Sequence, residues 1–249
     1  MQFDTTHHIW KFDIFQSVGI NHAITTRHTF GYDDFNLSGK EENHSQSVKY
    51  RQLLCEKLCN DIPVRFPKQV SASDIWIIKS GTDQQQVADA VITNTPNLPI
   101  GILVADCVPV ILHDPVLKIL ALVHAGWRGS AQKIVQKTIK TMTEQYSSDP
   151  GDILCGIGPS ISPEVYEIGA DVLQEFLSHN YSQPFYIEKK NGKYLLDLWT
   201  INTLQLFETG IIPQHIETSK LCTFQYPEFY SARREGITAG RFGIIAYIK

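Results

Sequence analysis

Three apolar segments in the middle of the chain constrain its fold more than any other feature. They cover residues 100–105, 108–112 and 119–123. Each has the length of a β-strand, and Asp106 interrupts the longest apolar stretch well before it could span a bilayer. We therefore predict that these segments form a β-sheet at the centre of a globular protein.

The segments around this centre alternate irregularly between helix and strand patterns. Helices are predicted for residues 46–60, 130–142 and 198–209, with Ser130 as an N-cap, and further strands for residues 153–157 and 242–248. Residues 30–47 are rich in Gly, Asp, Asn, Ser and Glu, which predicts a surface loop. Because strands and helices do not alternate strictly, the pattern favours an α+β fold with mixed sheets over a doubly wound parallel sheet. No linker divides the sequence, so a single domain covering residues 1–249 is predicted.

The overall composition narrows the range of partners. The 249 residues are 43% hydrophobic and 19% charged, with a formal net charge of −4. No cluster of Lys and Arg stands out, which argues against nucleic acid or an anionic membrane as a partner. The first residues have neither a basic start nor an apolar stretch, and the five cysteines are scattered, which together favour the cytoplasm. Nothing in the sequence indicates the oligomeric state.

Cys107 and His124 are the first candidate pair of functional residues. They flank two apolar strands, and a four-residue loop over residues 114–117 would place them directly opposite each other. Side chains at that separation can share a metal ion or form a nucleophile and its base. The alternative is that Cys107 is a small buried residue and His124 a hydrogen-bonded strand end. Asp106 favours the functional reading, because a carboxylate in an apolar segment is costly unless it has a partner.

Arg128 is a candidate anion-binding residue. It lies between Gly126 and Gly129, just before the predicted helix that starts at Ser130. A helix N-terminus beside an arginine suits phosphate. Bracing of a turn by Arg128 is the equally open alternative.

At these residues the chain resembles the laccase-domain family, also called the multicopper polyphenol oxidoreductase or YfiH-like family, and the resemblance extends over nearly its whole length. The matching motifs occur in the family's order: Thr25-Thr26-Arg27, Phe35-Asn36-Leu37, Arg51, Gln69-Val70, Asp89-Ala90, Thr93 to Pro96, Ala105 to Val110, His124 to Gly129, Gly158 to Ile161, Tyr166 to Gly169, Asp197 to Trp199, Leu221 to Thr223, Phe229 to Ser231, Arg233-Arg234 and Gly240-Arg241.

The resemblance implies a four-layer α/β/β/α sandwich. It also implies phosphorolysis of purine nucleosides (adenosine, inosine and methylthioadenosine), with adenosine deamination as an accompanying activity. The small-molecule substrates would then be a purine nucleoside and phosphate. Because they lie at positions that match the family's motifs, Cys107, His124 and Asp106 are expected to be catalytic. Arg27, Asn36, Arg51 and Arg128 are expected to bind substrate or phosphate.

The family's metal site is a His-Cys-His zinc triad, and one of its three positions differs here. Cys107 and His124 match two ligands, but Ser71 stands where the third ligand, a histidine, is expected. A catalytic zinc normally has three protein ligands and one open position, so Zn²⁺ is expected to bind weakly unless another residue, His28 first, completes the site. Copper oxidase chemistry is the least favoured, since nine scattered histidines do not supply the ligands for several copper ions.

Two further functions remain open at this stage. Cys107 and His124 could form the nucleophile and base of a cysteine amidase-type hydrolase, an activity compatible with the peptidoglycan-precursor editing linked to some members of the family. Alternatively, the chain could be a catalytically silent relative that binds a nucleoside or a protein partner.

Overall fold

The computed structural model describes residues 1–39, 44–178 and 184–249. The strands are β1 (Gln2–Asp4), β2 (Ile9–Lys11), β3 (Ile20–Ile24), β4 (Ile75–Ile77), β5 (Ala90–Thr93), β6 (Ile100–Val104), β7 (Val108–Asp114), β8 (Ile119–Ala125), β9 (Leu154–Ile157), β10 (Glu167–Ile168), β11 (Tyr186–Glu188), β12 (Tyr194–Leu196), β13 (Ile216–Thr218) and β14 (Phe242–Ile248). The helices are α1 (His44–Leu58), α2 (Trp127–Ala131), α3 (Ile134–Tyr146), α4 (Ala170–Leu177), α5 (Leu198–Glu208) and α6 (Ala232–Glu235), with 3₁₀ turns at Thr29–Gly31, Pro150–Asp152 and Pro213–His215.

The strands form two large sheets and one small one. A five-stranded antiparallel sheet has the order β1-β2-β3-β14-β6, and a six-stranded sheet has the order β13-β9-β7-β8-β5-β4. The second sheet is mixed, because β4 pairs parallel to β5 and β13 pairs parallel to β9. A three-stranded sheet of order β10-β12-β11 completes the set.

Strand β8 shows how the layers are held together. Side chains alternate between the two faces of a strand, so Leu120 and Leu122 point into the core between the two large sheets. Ala121 and Val123 point instead into a second core against α3, α4 and α5. A third core, which includes Leu54 of α1, covers the outer face of the five-stranded sheet. The resulting order of layers is helix, sheet, sheet, helix, which confirms the predicted α+β four-layer fold.

Two local predictions were wrong. The helix predicted for residues 130–142 is two helices, because Lys133 adopts a left-handed conformation (φ 60°) between α2 and α3. Ser130 therefore lies inside α2, where its hydroxyl accepts a hydrogen bond from Asn202 (3.1 Å), and Gly126 takes the N-cap position.

The segment predicted as a surface loop is partly core. Phe35 and Leu37 are fully buried under α1, because aromatic and aliphatic side chains within this polar stretch gain more from burial than from exposure. Residues 40–43 of the predicted loop lie outside the described residues. In the part of the chain that the structure describes, no helix is both long and apolar enough to cross a membrane.

Candidate active site

The hairpin of β7 and β8 positions Cys107 and His124 with a register that differs from the prediction by two residues. Pro109, rather than Cys107, is paired with His124. The loop covers residues 115–118, because the Asp114 carboxylate accepts the N–H groups of Val116 and Leu117 (both 2.9 Å) and keeps Asp114 in the strand, paired with Ile119. An even shift leaves every side chain on its original face of the sheet. Cys107 and His124 therefore still lie on the same face, as diagonal neighbours.

The Cys107 thiol lies close enough to the His124 imidazole for the two side chains to interact electrostatically. Gly126 makes room for this contact: a Cβ atom at residue 126 would lie 3.1 Å from Sγ of Cys107 and 3.8 Å from Cε1 of His124. The backbone of Gly126 has ordinary extended dihedrals (φ −68°, ψ 171°). Glycine is therefore needed here for space rather than for conformation.

Asp89 is hydrogen-bonded to the Nδ1 atom of the His124 imidazole. Its carboxylate lies 2.8 Å from Nδ1 of the imidazole, and its carbonyl accepts the N–H of His124 at 2.7 Å. The carboxylate is fully buried and also accepts the N–H groups of Ser71 (3.0 Å) and Ala72 (2.7 Å). Cys107, His124 and Asp89 thus lie in the order thiol, imidazole, carboxylate, an arrangement in which the carboxylate orients the imidazole beside the thiol. Asp89 was not among the predicted site residues, although its position immediately before the buried strand β5 was a signal that it needed a partner.

These contacts set the charge of His124. Burial opposes protonation of the imidazole, but Cys107 and Asp89 outweigh it and raise the pKa of His124 to about 9. For Asp89, burial raises the pKa, whereas the hydrogen bonds from His124 and from the Ala72 N–H lower it, and the net result is a lowered pKa. At neutral pH the site therefore contains a protonated imidazole beside an ionised carboxylate.

Ser71 lies where the resemblance expects the third zinc ligand, a histidine. Ser71 adopts a left-handed conformation (φ 59°), and its N–H is bonded to Asp89. Since Asp89 occupies Nδ1 of His124, the side chains left for a metal are Cys107 and one imidazole nitrogen. No group of three His, Cys, Asp or Glu side chains arranged to hold a metal ion occurs in the described ranges. This donor set does not fit a catalytic zinc with three protein ligands.

His28 is the first candidate for the missing ligand. It lines a separate cleft together with Phe3, Trp10 and Tyr32, between the first hairpin and the turn Thr29–Gly31. This position gives no support to His28 as a substitute for the missing histidine, and that role stays a prediction. The position of His28 follows from the 3₁₀ turn, since the His28 N–H bonds to Thr26 Oγ1 at 3.1 Å.

Asp106 has the partners that its position in an apolar segment required. Its buried carboxylate accepts the Thr223 hydroxyl and the N–H of Arg233, both at 2.6 Å. The residue has a positive φ of 83°, a conformation that costs energy in any residue other than glycine. These contacts tie the turn before Cys107 to the start of α6. The arrangement indicates that Asp106 positions Cys107 and Arg233.

Arg233 and Tyr166 are site residues that the sequence identifies only as parts of the ordered motifs. The guanidinium of Arg233 lies 5.2 Å from the centre of the Tyr166 ring and donates to the carbonyl of Glu167 at 2.9 Å. Burial raises the pKa of Tyr166; the charges of Cys107 and Asp106 add to this effect, and those of Arg233 and Arg128 oppose it. Arg128 is exposed and lies 4.2 Å above the Trp127 ring. Cys107, Arg128 and Arg233 thus all act electrostatically on Tyr166.

The other predicted phosphate-binding residues are engaged in structural contacts. Arg27 forms an ion pair with Glu235 (2.6 Å) and lies over the Tyr230 ring. Arg51 donates twice to the carbonyl of Leu37, at 3.1 and 2.7 Å. Asn36 accepts the N–H groups of Ser38 and Arg241, both at 2.9 Å. These contacts fix the segment around residues 35–38 beneath α1, and binding of phosphate by these three residues stays a prediction.

Comparison with known proteins agrees with this architecture and its motifs. A family model described as multi-copper polyphenol oxidoreductase laccase matches residues 21–249. The chain is 32% identical over 240 residues to a purine nucleoside phosphorylase of Bacteroides thetaiotaomicron. This match covers 89% of each chain. The chain is also 32% identical over 188 residues, or 71% of each chain, to adenosine deaminase RL5 from an unknown prokaryotic organism. The crystal structure of YlmD from Geobacillus stearothermophilus superposes with a TM-score of 0.87 at 26% identity, covering 96% of this chain and 94% of that chain. The fold and the site define a laccase-like α+β protein, and the chain belongs to the multi-copper polyphenol oxidoreductase laccase family.

Proposed function

We propose that this chain is a purine nucleoside phosphorylase that acts at the Cys107–His124 site in the cytoplasm, with adenosine, inosine and methylthioadenosine as substrates. The observation that carries the proposal is a buried, protonated His124 that Asp89 orients next to Cys107. The phosphorylase name of a relative that covers most of the chain supports it. Deamination of adenosine is proposed as an accompanying activity, after the relative named adenosine deaminase.

The proposed reaction uses His124 as an acid. An oxygen of hydrogen phosphate forms a bond to C1′ of the ribose while the bond from C1′ to the purine breaks. The purine leaves with the electron pair and takes up a proton from His124, and the proton released by hydrogen phosphate restores the imidazolium. Positioned acids of this kind contribute about 10²- to 10⁴-fold to a rate.

Arg128 and Arg233 are proposed to hold the phosphate in this reaction. A planar guanidinium can engage two phosphate oxygens at once. Arg233 is the more fixed of the two, because its backbone N–H is bonded to Asp106 and its side chain to the carbonyl of Glu167. We derive no step through zinc, since the donor set offers two protein ligands.

The test is release of the free purine from adenosine by purified protein, with and without phosphate. We expect release to require phosphate, to fall about 10²- to 10⁴-fold in His124→Gln, and to remain unchanged in His8→Gln, a control outside the site. Purine release that does not depend on phosphate, or that survives His124→Gln, would overturn the proposal.

A second candidate is a cysteine hydrolase, which the order Cys107, His124, Asp89 specifically favours. The thiolate would attack an amide carbonyl, the amine would leave with a proton from His124, and water would hydrolyse the thioester and return the proton. This activity needs no phosphate and ends on alkylation of Cys107. Binding of adenosine without turnover in either assay would instead identify a catalytically silent relative.

A further inference from the structure

A second polar cleft lies away from Cys107, at the edge of the five-stranded sheet. It has a volume of about 480 Å³ and is bounded by β3, the end of β14, the segment after β2 and the last turn of α1. Volumes of 300–1,000 Å³ are typical of sites for small molecules. None of the residues proposed above for the reaction lines it.

Three lysines from separate parts of the chain line this cleft: Lys11 at the end of β2, Lys57 in the last turn of α1, and Lys249 after β14. Among the described residues, no Asp or Glu side chain is part of the lining. Lys11 lies 3.8 Å from Asp4, which also binds His7 at 2.9 Å, so its charge is only partly compensated. Three lysine side chains with no described acidic side chain in the lining, in a chain of net charge −4, favour an anionic ligand.

His22 adds a neutral donor to the lysines. Its Nε2 accepts the N–H of Phe12 at 2.7 Å, which requires the proton to be on Nδ1. Burial and the nearby charge of Lys11 lower the pKa of His22 to about 4, so the imidazole stays neutral and keeps this arrangement at neutral pH.

Tyr247 adds a second neutral donor. It is 6% exposed, and its hydroxyl oxygen accepts a hydrogen bond from the side-chain amide of Asn21. Because the oxygen is used as an acceptor, the hydroxyl hydrogen remains to be donated, and both residues line the cleft. Nearby Phe12, Phe15 and Ile245 form an apolar floor.

We propose that this cleft binds a small organic phosphate, a phosphomonoester with an apolar or aromatic body. A phosphate group carries close to two negative charges at neutral pH and three strong acceptor oxygens, which matches three ammonium groups and two fixed neutral donors. Inorganic phosphate would fill only a small part of 480 Å³, so the apolar floor is left for the organic body of the ligand.

The test compares two triple variants that remove the same charge from the full-length protein. Lys11→Gln/Lys57→Gln/Lys249→Gln changes the cleft, and Lys79→Gln/Lys140→Gln/Lys190→Gln changes exposed lysines elsewhere. With phenyl phosphate as the probe in titration calorimetry, we expect affinity at least about tenfold weaker in the cleft variant and unchanged in the control. Inorganic phosphate and benzoate should both bind more weakly than phenyl phosphate.

Tyr247→Phe is a second, milder test, since it removes one hydroxyl donor from the cleft. Loss of one neutral hydrogen bond should weaken phenyl phosphate about two- to tenfold. Phosphorolysis of adenosine should stay unchanged in every cleft variant, which separates this site from the catalytic one. Equal affinity in the two triple variants, or affinity that is lost on Arg233→Gln and kept in the cleft variant, would overturn the proposal.

Discussion

The Asp89 carboxylate and the His124 imidazole are joined by a 2.8 Å hydrogen bond, and the same carboxylate binds the backbone of residues 71 and 72. This contact links three segments that are far apart in the sequence: the turn around Ser71, the start of β5 and the end of β8. It also means that the side chain that orients His124 fixes the backbone at Ser71. The geometry of the site can therefore persist without a metal ion to hold it together.

Asp89→Asn should reduce turnover of adenosine while leaving its binding little changed. The amide keeps one of the two oxygens that accept the backbone N–H groups of residues 71 and 72, so part of these contacts survives, but it lacks the negative charge that stabilises a protonated imidazole. We expect kcat to fall about 10²- to 10⁴-fold with a small change in KM, as measured by steady-state kinetics. Asp13→Asn, at an exposed position, serves as the control. Unchanged kcat in Asp89→Asn would show that the orientation of His124 does not matter for the reaction.

Ser71→His should restore zinc binding. Ser71 shares Asp89 with His124, so an imidazole at residue 71 would be next to the existing pair and would complete three ligands with an open position. We expect about one zinc ion per chain in this variant and clearly less in the parent and in Ser73→His, by elemental analysis of untagged protein. Adenosine phosphorolysis or deamination should rise with the metal, because bound zinc activates water and polarises oxygen atoms. Equal zinc content in parent and Ser71→His would contradict the two-ligand description.

Gly126→Ala should impair activity more than stability. The backbone at Gly126 suits alanine, but the added methyl group would lie 3.1 Å from Sγ of Cys107 and push the thiol away from His124. The thiol would have to move by a few tenths of an ångström. Since a misplacement of about 1 Å can cost about 10²-fold in rate, we expect turnover to fall by less than about 10²-fold, whereas the free energy of unfolding should change by no more than about 1 kcal/mol. Gly81→Ala is the control, since its methyl group would meet Leu98 at an ordinary 3.8 Å. Equal turnover in both variants would show that the Cys107 side chain accommodates a methyl group at residue 126 without loss of activity.

His22 should make the protein less stable as the pH falls from 6.5 to 4. Burial, followed by the charge of Lys11, lowers the pKa of His22 to about 4, so below pH 6.5 the unfolded chain takes up a proton that the folded protein does not. This difference corresponds to about 3 kcal/mol of lost stability at pH 4. Urea unfolding of His22→Gln, whose side chain can still accept the Phe12 N–H, should show a smaller loss over this range. Parallel pH profiles for the two proteins would be evidence against the buried neutral imidazole.

The sequence by itself determined the local elements and the family. Strand β14 coincides with its predicted range, and the ends of β6, β7 and β8 lie within one or two residues of the predicted ends. The agreement arises because short apolar segments form strands when they pack into a core. The shared face of Cys107 and His124 was also predictable, since an even shift in register preserves it. The ordered motifs predicted the four-layer fold through resemblance.

Only the tertiary structure decided which residues meet at the site. The Asp114 side chain set the loop and hence the register, and long-range contacts brought Asp89 to His124 and tied Arg233 to Asp106 across 127 residues. Long-range contacts also pair Arg27 with Glu235 and Arg51 with the carbonyl of Leu37. His28 lies in a different cleft. The periodicity of apolar residues predicts which face of a helix or strand is buried. It does not predict which distant side chain will form a hydrogen bond or ion pair with a buried charge. That choice is made by the packing of the layers, where each buried polar group must find a partner.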